Sequence, residues 1–390
     1  MAADPVTIIV DDWDMTDKQD QVGKPGGWSS SAEYPGIFNN TVTFPEFPEN
    51  GSFIYKFEGV SVALFGITPP SAFRHGFNRS VPVFDSSNIQ ELETYTPYKY
   101  PAMAQGGQFY TSQTLPSKSQ IDIGILGAHG LALDYALVTV DESTDLSQKT
   151  ILVDDSNLEI TWDDSWEEQQ NRAISVNCSL PEQPHVFHGS PPDFQFTANM
   201  YPHGNGSHIS NTTGSSFTFQ FAGTSIAIFG FSPGLVDGVL GMNFTLDSET
   251  TTKVFTQDSM GGSSGNTLTH FKYFDASLLE AGNHTITGVI TKASGESAAN
   301  IDYITYTPSF ISIRDKPVFQ SASGSDIPDP NTNGSTPHNS GGDTPPHRSS
   351  VVSIVGGVVG GCIGIALIVG VLWLIGKRRK NQKVAQGKLQ

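Results

Sequence analysis

Two short segments concentrate the side chains that could do chemistry. Residues 11–14 read DDWD and residues 162–166 read WDDSW, and Asp154 and Asp155 close the strand-like ILVDD just before the second. An indole presents an apolar face that fits the apolar face of a pyranose, while carboxylates hold its hydroxyls. Trp13 and Trp28 in the first half and Trp162 and Trp166 in the second are therefore candidate sugar contacts, beside Asp11, Asp12, Asp14, Asp154, Asp155, Asp163 and Asp164. The structural alternative is that Trp28 and Trp166 cap a core beside the first strand. Ca²⁺ is a poorer fit, because it takes six to eight oxygens and neither segment has the ligand count or spacing of a dedicated loop. Capping of strand ends is the expected role of the surplus aspartates.

Other candidates are weaker. Tyr98 and Tyr100 follow Tyr95 in an aromatic insertion, Glu93–Tyr110, which reads as a strand with one packed face or as a ligand surface. His185, His188 and His203 have neither cysteines nor a helical i, i+4 partner, so no metal site is expected. No cofactor is expected either. The chain has no H-E-x-x-H, P-loop or dinucleotide-binding fingerprint. The expectation at this point is that it is not an enzyme. A glycan-active carboxylate pair is the reading furthest from the motifs.

These residues must be held by something, and an internal repeat shows what. SFIYKFEGVSVALFG (Ser52–Gly66) returns as SFTFQFAGTSIAIFG (Ser216–Gly230), with eight of fifteen positions identical. In each copy, aromatic and aliphatic residues alternate with small or polar ones on both sides of a central glycine, Gly59 or Gly223. That pattern predicts a strand, a tight turn and a second strand with one apolar face. Further landmarks recur in order: IIVDD and ILVDD open the copies, and LDYALVTV and IDYITYTP close them. No amphipathic helix is evident. The expected fold is all-β, two tandem jelly-roll-like β-sandwiches over residues 5–148 and 149–312, each with its own core.

Beyond them the composition changes. Residues 313–350 are rich in Ser, Thr, Pro, Gly and Asn and read as a disordered stalk. Val351 to Gly376 are 26 uncharged, mostly apolar residues, longer than the roughly 20 that cross a bilayer. KRRK follows, and residues 377–390 carry six basic residues and no acidic one. The charge rule places this tail in the cytoplasm and residues 1–350 outside, a single-pass plasma-membrane topology. Glycines four apart, Gly356, Gly360 and Gly364, allow close helix packing and hence self-association. Sequons at Asn39, Asn50, Asn78, Asn177, Asn205, Asn211, Asn243, Asn283 and Asn333 all precede the apolar run and fit N-glycosylation. No signal peptide is visible in MAADPVTIIVDDWD, which leaves a tail-anchored topology as the competing reading.

Charge and cysteine content narrow the partners. Without the six basic residues of the tail, residues 1–376 hold 15 basic against 39 acidic residues, a charge of −24. Such a surface repels phosphate backbones, so no nucleic-acid partner is expected. Cys178 and Cys362 are the only cysteines and the second lies in the apolar run, so no disulfide framework holds the fold.

The strand-ending DD pair, the following tryptophan, the SFxFxFxGxSxxxFG segment and the closing [LI]DY strand resemble a family of fungal membrane-anchored proteins. The resemblance covers nearly the whole chain. It implies β-sandwich ectodomains similar to galactose-binding-like domains and carbohydrate-binding modules, with a ligand site on loops at one end. It also implies a stalk, a glycine-rich membrane helix and a basic tail. The functional expectation is a cell-surface glycoprotein that binds a wall glycan or a neighbouring surface protein, as an adhesin or sensor. A structural glycoprotein without a ligand is the second reading.

Overall fold

The computed structural model describes residues 6–17, 28–32, 36–45, 53–67, 81–85, 93–95, 104–105, 107–125, 132–171, 174–179, 195–234, 238–257 and 267–319. Among them the only α-helix is Asp12–Asp17; almost everything else is strand, and the fold is all-β. The alternation in the sequence is what builds it. Phe217, Phe219 and Phe221 are each 1% exposed, on the inward face of the strand Ser216–Phe231, while Thr218 and Gln220 point away. Tyr55 and Phe57 do the same in the first repeat.

The central glycines do something other than the expected turn. In the second repeat Ser216–Phe231 is one strand of 16 residues. Its first half pairs with Gly282–Ser294. Its second half pairs with Phe271–Ala276 and Ala299–Pro308, with a bulge between Gly223 and Ser225. In the first repeat Phe53–Gly59 pairs with Ser119–Ile125, and Ser61–Ile67 pairs with Ala132–Val140 and Gly107–Thr111. In the first repeat the chain thus turns a corner from one sheet into another, in the second the bulged strand changes partners within one sheet, and neither doubles back as a hairpin. A glycine is needed at the corner because the backbones meet there. A Cβ on Gly59 would lie 2.7 Å from the Thr139 carbonyl oxygen, and one on Gly223 2.7 Å from that of Thr307.

The repeats share a sheet. Val6–Asp11 lies between Ala132–Val140 and the opening strand of the second repeat, Thr150–Asp154, antiparallel to both. Ile8 sits opposite Ile151, and Thr150–Asp154 pairs onward with Ala299–Pro308. The two DD strands therefore run side by side about a pseudo-two-fold axis. One face of this sheet covers the main core. The other carries a second cluster, with Ile9, Phe38, Phe65, Tyr135 and Leu137 from the first repeat and Leu152, Phe229 and Tyr303 from the second.

All described residues belong to one compact unit, Met1–Ser323. The folded region continues past 312. Ile313 is buried, Phe319 packs against the main core and Lys316 pairs with Glu159. Residues 320–390, which include the rest of the expected stalk, the apolar segment 351–376 and the basic tail, lie outside the described residues. Among the described residues no helix is long and apolar enough to cross a membrane.

Candidate functional site

The site forms where each DD strand meets the end of the strand carrying the Asp-Tyr pair. A β-bulge shapes both copies. Leu133 pairs with Gly66 and Tyr135 with Phe65, which leaves Asp134 as the extra residue; Ile301 pairs with Gly230 and Tyr303 with Phe229, which leaves Asp302. A bulge re-aims side chains. Here it lets two successive residues point inward, and Asp134, Tyr135, Asp302 and Tyr303 are all at most 2% exposed. Each bulged carboxylate then caps a 3₁₀ turn. Phe38 N–H donates to Asp134 Oδ1 and His203 N–H to Asp302 Oδ2, both at 3.0 Å.

The strand after each turn faces the paired aspartates, and there the copies diverge. In the first repeat Asn39 Nδ2 donates to Asp11 Oδ2 at 2.6 Å and Thr43 Oγ1 to Asp12 Oδ2 at 2.6 Å. Thr41 Oγ1 lies 2.8 Å from Asp11 Oδ1 and 2.7 Å from Asp12 Oδ1. One hydroxyl proton cannot serve two carboxylates. A proton on Asp12, whose pKa burial pushes up to about 7, completes the network by donating to the Thr41 oxygen. In the second repeat the equivalent positions are Gly204, Gly206 and His208. His208 Nδ1 lies 2.6 Å from Asp155 Oδ2. The Trp162 ring stacks on the imidazole at 4.2 Å and 3°, and its Nε1 donates to the Asp155 carbonyl. Asp155 is 1% exposed, its Oδ1 has no hydrogen-bond partner among the described residues, and burial raises its pKa to about 6.

Between the copies lies a layer of rings. Phe65 stacks on Tyr135 at 4.6 Å and Phe229 on Tyr303 at 5.0 Å. Each repeat also reaches across: Phe38 packs on Phe229 and His203 on Phe65. His270 Nδ1 lies 2.6 Å from Tyr303 Oη, and its Nε2 lies 3.9 Å from Asp134 Oδ2. Burial lowers the pKa of both histidines, that of His270 to about 3. Burial keeps the Tyr303 phenol protonated, so it donates to Nδ1, and the neutral ring carries its own proton on Nε2, toward Asp134.

This buried set fixes a pH dependence. Burial raises Asp12, Asp134, Asp155 and Asp302 above the ordinary carboxyl value. The folded chain therefore keeps protons that the unfolded chain releases, and that stability is lost as pH rises from about 4 through the folded pKa values. His203 and His270 act oppositely, withdrawing stability as pH falls below about 6.5. Above 6.5 the carboxyls act, and His284, whose pKa Asp247 holds above 6.5, acts in the same direction. The melting temperature should therefore rise on acidification from pH 8 to 6.5, at up to about 1.4 kcal/mol per pH unit for each titrating group. Asp12→Asn should weaken the rise. Equal wild-type melts at both pH values would contradict this.

The structure sorts the sequence candidates. Trp13 stands on the Asp12–Asp17 helix and is 53% exposed. Trp162 is half-buried over His208, and Trp166 is buried against Phe217. Trp28 opens the strand Trp28–Ala32, and its side chain lies outside the description, as do Tyr98 and Tyr100 entirely. Of the sequon asparagines, Asn39, Asn205, Asn211 and Asn283 are exposed, Asn243 is half-buried and Asn177 lies in the strand Ile174–Ser179. Asn50, Asn78 and Asn333 fall outside the described residues. Among those residues no three His, Cys, Asp or Glu side chains are placed to hold a metal ion. Sequence reasoning missed His208 and the two bulged aspartates. The superposition of FNNTVT (38–43) on HGNGSH (203–208) is the signal that finds His208.

No family model and no curated protein matches the chain. Among solved structures it is similar to a family two carbohydrate esterase from Cellvibrio japonicus, at 9% identity and a TM-score of 0.22, over 42% of this chain and 35% of that one. It is similar to a cycloalternan-forming enzyme from Listeria monocytogenes at 10% identity and a TM-score of 0.26, over 72% and 22%. It is also similar to a Paenibacillus xanthan lyase at 9% identity and a TM-score of 0.22, over 79% and 26%. The chain spans about a third or less of each of these proteins. All three are carbohydrate-active enzymes, and this corrects the expectation that the chain is not an enzyme. At these scores the likeness assigns neither reaction nor substrate. What stands is an all-β sandwich with carbohydrate-active structural neighbours.

Proposed function

We propose that this chain recognises carbohydrate at a cell surface, with residues 351–376 anchoring it in the membrane and the folded unit outside. The observation that carries the recognition is Trp13. Of the two most contrasting tryptophans, Trp166 is 8% exposed and spent on the core, whereas Trp13 is 53% exposed on an ordered helix. Asp14, exposed on the same helix, and Asp11, held by Asn39, lie beside it in the chain. An exposed indole flanked by carboxylates suits a pyranose, whose apolar face stacks while its hydroxyls donate. The orientation and anchoring rest on the apolar run and its basic flank.

The test is binding of the full-length chain, purified in detergent, to a panel of fungal-wall and plant-wall polysaccharides. Trp13→Ala should weaken saturable binding to one glycan class about tenfold, or 1.4 kcal/mol, with an unchanged melt. Binding that ignores this substitution, or an absence of binding across the panel, would overturn the reading.

A further inference from the structure

The two copies of the aspartate site form an internal comparison. The backbone is the same in both: a 3₁₀ turn capped by a bulged aspartate, then a strand that faces the DD pair. In the first repeat the chain supplies its own hydrogen-bond partners to those carboxylates, from Asn39, Thr41 and Thr43. In the second, two of those three positions are glycine. At Gly204 the space is taken by Asp154 itself, whose Oδ2 would lie 2.4 Å from a Cβ there. At Gly206 it is not. A Cβ built on Gly206 would sit 3.6 Å from Asp155 Oδ1 and 3.9 Å from the Gln169 carbonyl oxygen, both ordinary contacts. That Asp155 Oδ1 is the atom left without a partner, on a side chain 1% exposed. It is the counterpart of Asp12 Oδ1, which the Thr41 hydroxyl reaches in the first repeat. The counterpart of the Thr41 hydroxyl is missing from this copy, and a Cβ fits at the position that would carry it.

The surroundings extend the same chemistry. His208 replaces Thr43, although the first repeat shows that a hydroxyl suffices to cap this carboxylate. Held by Asp155 through Nδ1 and by Trp162 through stacking, the ring points its second nitrogen, Nε2, away from the carboxylate. Glu168, exposed, lies directly across from His208 in the strand pair, so their Cβ atoms are about 5 Å apart on one face. Gly204 and Asn205 beside the gap are exposed. The copy has thus lost donors and gained acceptors.

We propose that the second repeat holds its own saccharide subsite, in which a ligand hydroxyl takes the place of the Thr41 hydroxyl on Asp155 Oδ1, beside Gly206, while neighbouring hydroxyls donate to His208 Nε2 and Glu168. The ligand class is a donor-rich polyol, and the inference rests on the carbohydrate reading above. The first repeat fills the equivalent atoms with hydroxyl and amide groups, which argues for a hydroxyl in preference to a cation.

Gly206→Thr tests it, because it rebuilds the first repeat in the second. Gly206 is extended, at φ −131° and ψ 160°, which threonine adopts freely, so the variant should melt at or above wild type. Titration calorimetry of the full-length chain with soluble gluco-, manno-, xylo- and chito-oligosaccharides should give two sites per chain for wild type. One site should remain for Gly206→Thr, one for Trp13→Ala and none for the double variant, with affinity at each lost site down more than tenfold. A Gly206→Thr chain that keeps wild-type stoichiometry and affinity overturns the subsite and leaves the Trp13 reading intact. Loss in Gly206→Thr with none in Trp13→Ala supports the subsite and sinks the role of Trp13. No binding by the wild-type chain overturns both. Binding that needs added CaCl₂ and is abolished by EDTA overturns the hydroxyl assignment in favour of a cation.

Discussion

Replacing Gly230 by alanine is expected to cost the chain its native fold. A Cβ at this position would lie 1.8 Å from the Asn300 carbonyl oxygen, 2.8 Å from its carbonyl carbon and 3.0 Å from Ile301 Cα. All three are backbone atoms, so no rotamer change relieves the contact. The strands must separate where Asp302 is bulged inward and where Phe229 meets Tyr303. A disruption of this kind belongs with the rare substitutions that cost more than about 4 kcal/mol, a large share of a total stability of about 5–15 kcal/mol. Gly66→Ala should behave alike, since its Cβ would fall 1.9 Å from the Ala132 carbonyl oxygen. Gly282→Ala is the control, with nothing within 4 Å of its Cβ. Urea titrations of the three variants decide the matter. A Gly230→Ala midpoint equal to that of Gly282→Ala would show that the sheet yields where it is described as rigid.

The second large effect is expected from cutting the chain between the repeats. Residues 149–319 alone would expose Leu152, Phe229 and Tyr303, which are covered by Ile9, Phe38, Phe65 and Tyr135 of the first repeat. Burying side chains of this size contributes about 1.5–3 kcal/mol each, so the three account for roughly 5–9 kcal/mol. The strand Thr150–Asp154 would also lose one of its two partners. The fragment should therefore be an aggregate, or a homodimer that reuses the pseudo-two-fold axis. Co-expression with residues 1–148 should restore a soluble pair. Sedimentation and thermal melts read this directly, and a fragment that is a monomer with a cooperative melt would refute the shared-sheet account.

Much of the scaffold was legible in the residues. Period-two alternation located the inward rings Phe217, Phe219 and Phe221, and the matched DD and DY landmarks located the strands that meet at the site. The corner was not legible, although its trace is present. The large side chains of this strand in the main core are odd-numbered up to Phe221 and even-numbered at Ile226 and Ile228, so their phase slips by one near Gly223. A hairpin and a bulged corner produce the same slip, and only the partner strands distinguish them. The site was hidden for another reason. Its contacts join residues 96 and 99 apart in the chain, Phe38 with Asp134 and His203 with Asp302. Local pattern carries no information at that distance. The tryptophans looked equivalent in sequence, and burial alone separated Trp13 from Trp166.

The place of Val6–Asp11 in the middle of the shared sheet has a consequence during synthesis. Both partners of this strand, Ala132–Val140 and Thr150–Asp154, emerge more than a hundred residues after it. At about 5–20 residues per second the wait is on the order of ten seconds. Throughout it, VTIIV remains an apolar, β-prone segment with nowhere to pair. The nascent chain therefore carries a sticky segment until its first repeat is complete, and a chaperone that grips short apolar segments would find its target there.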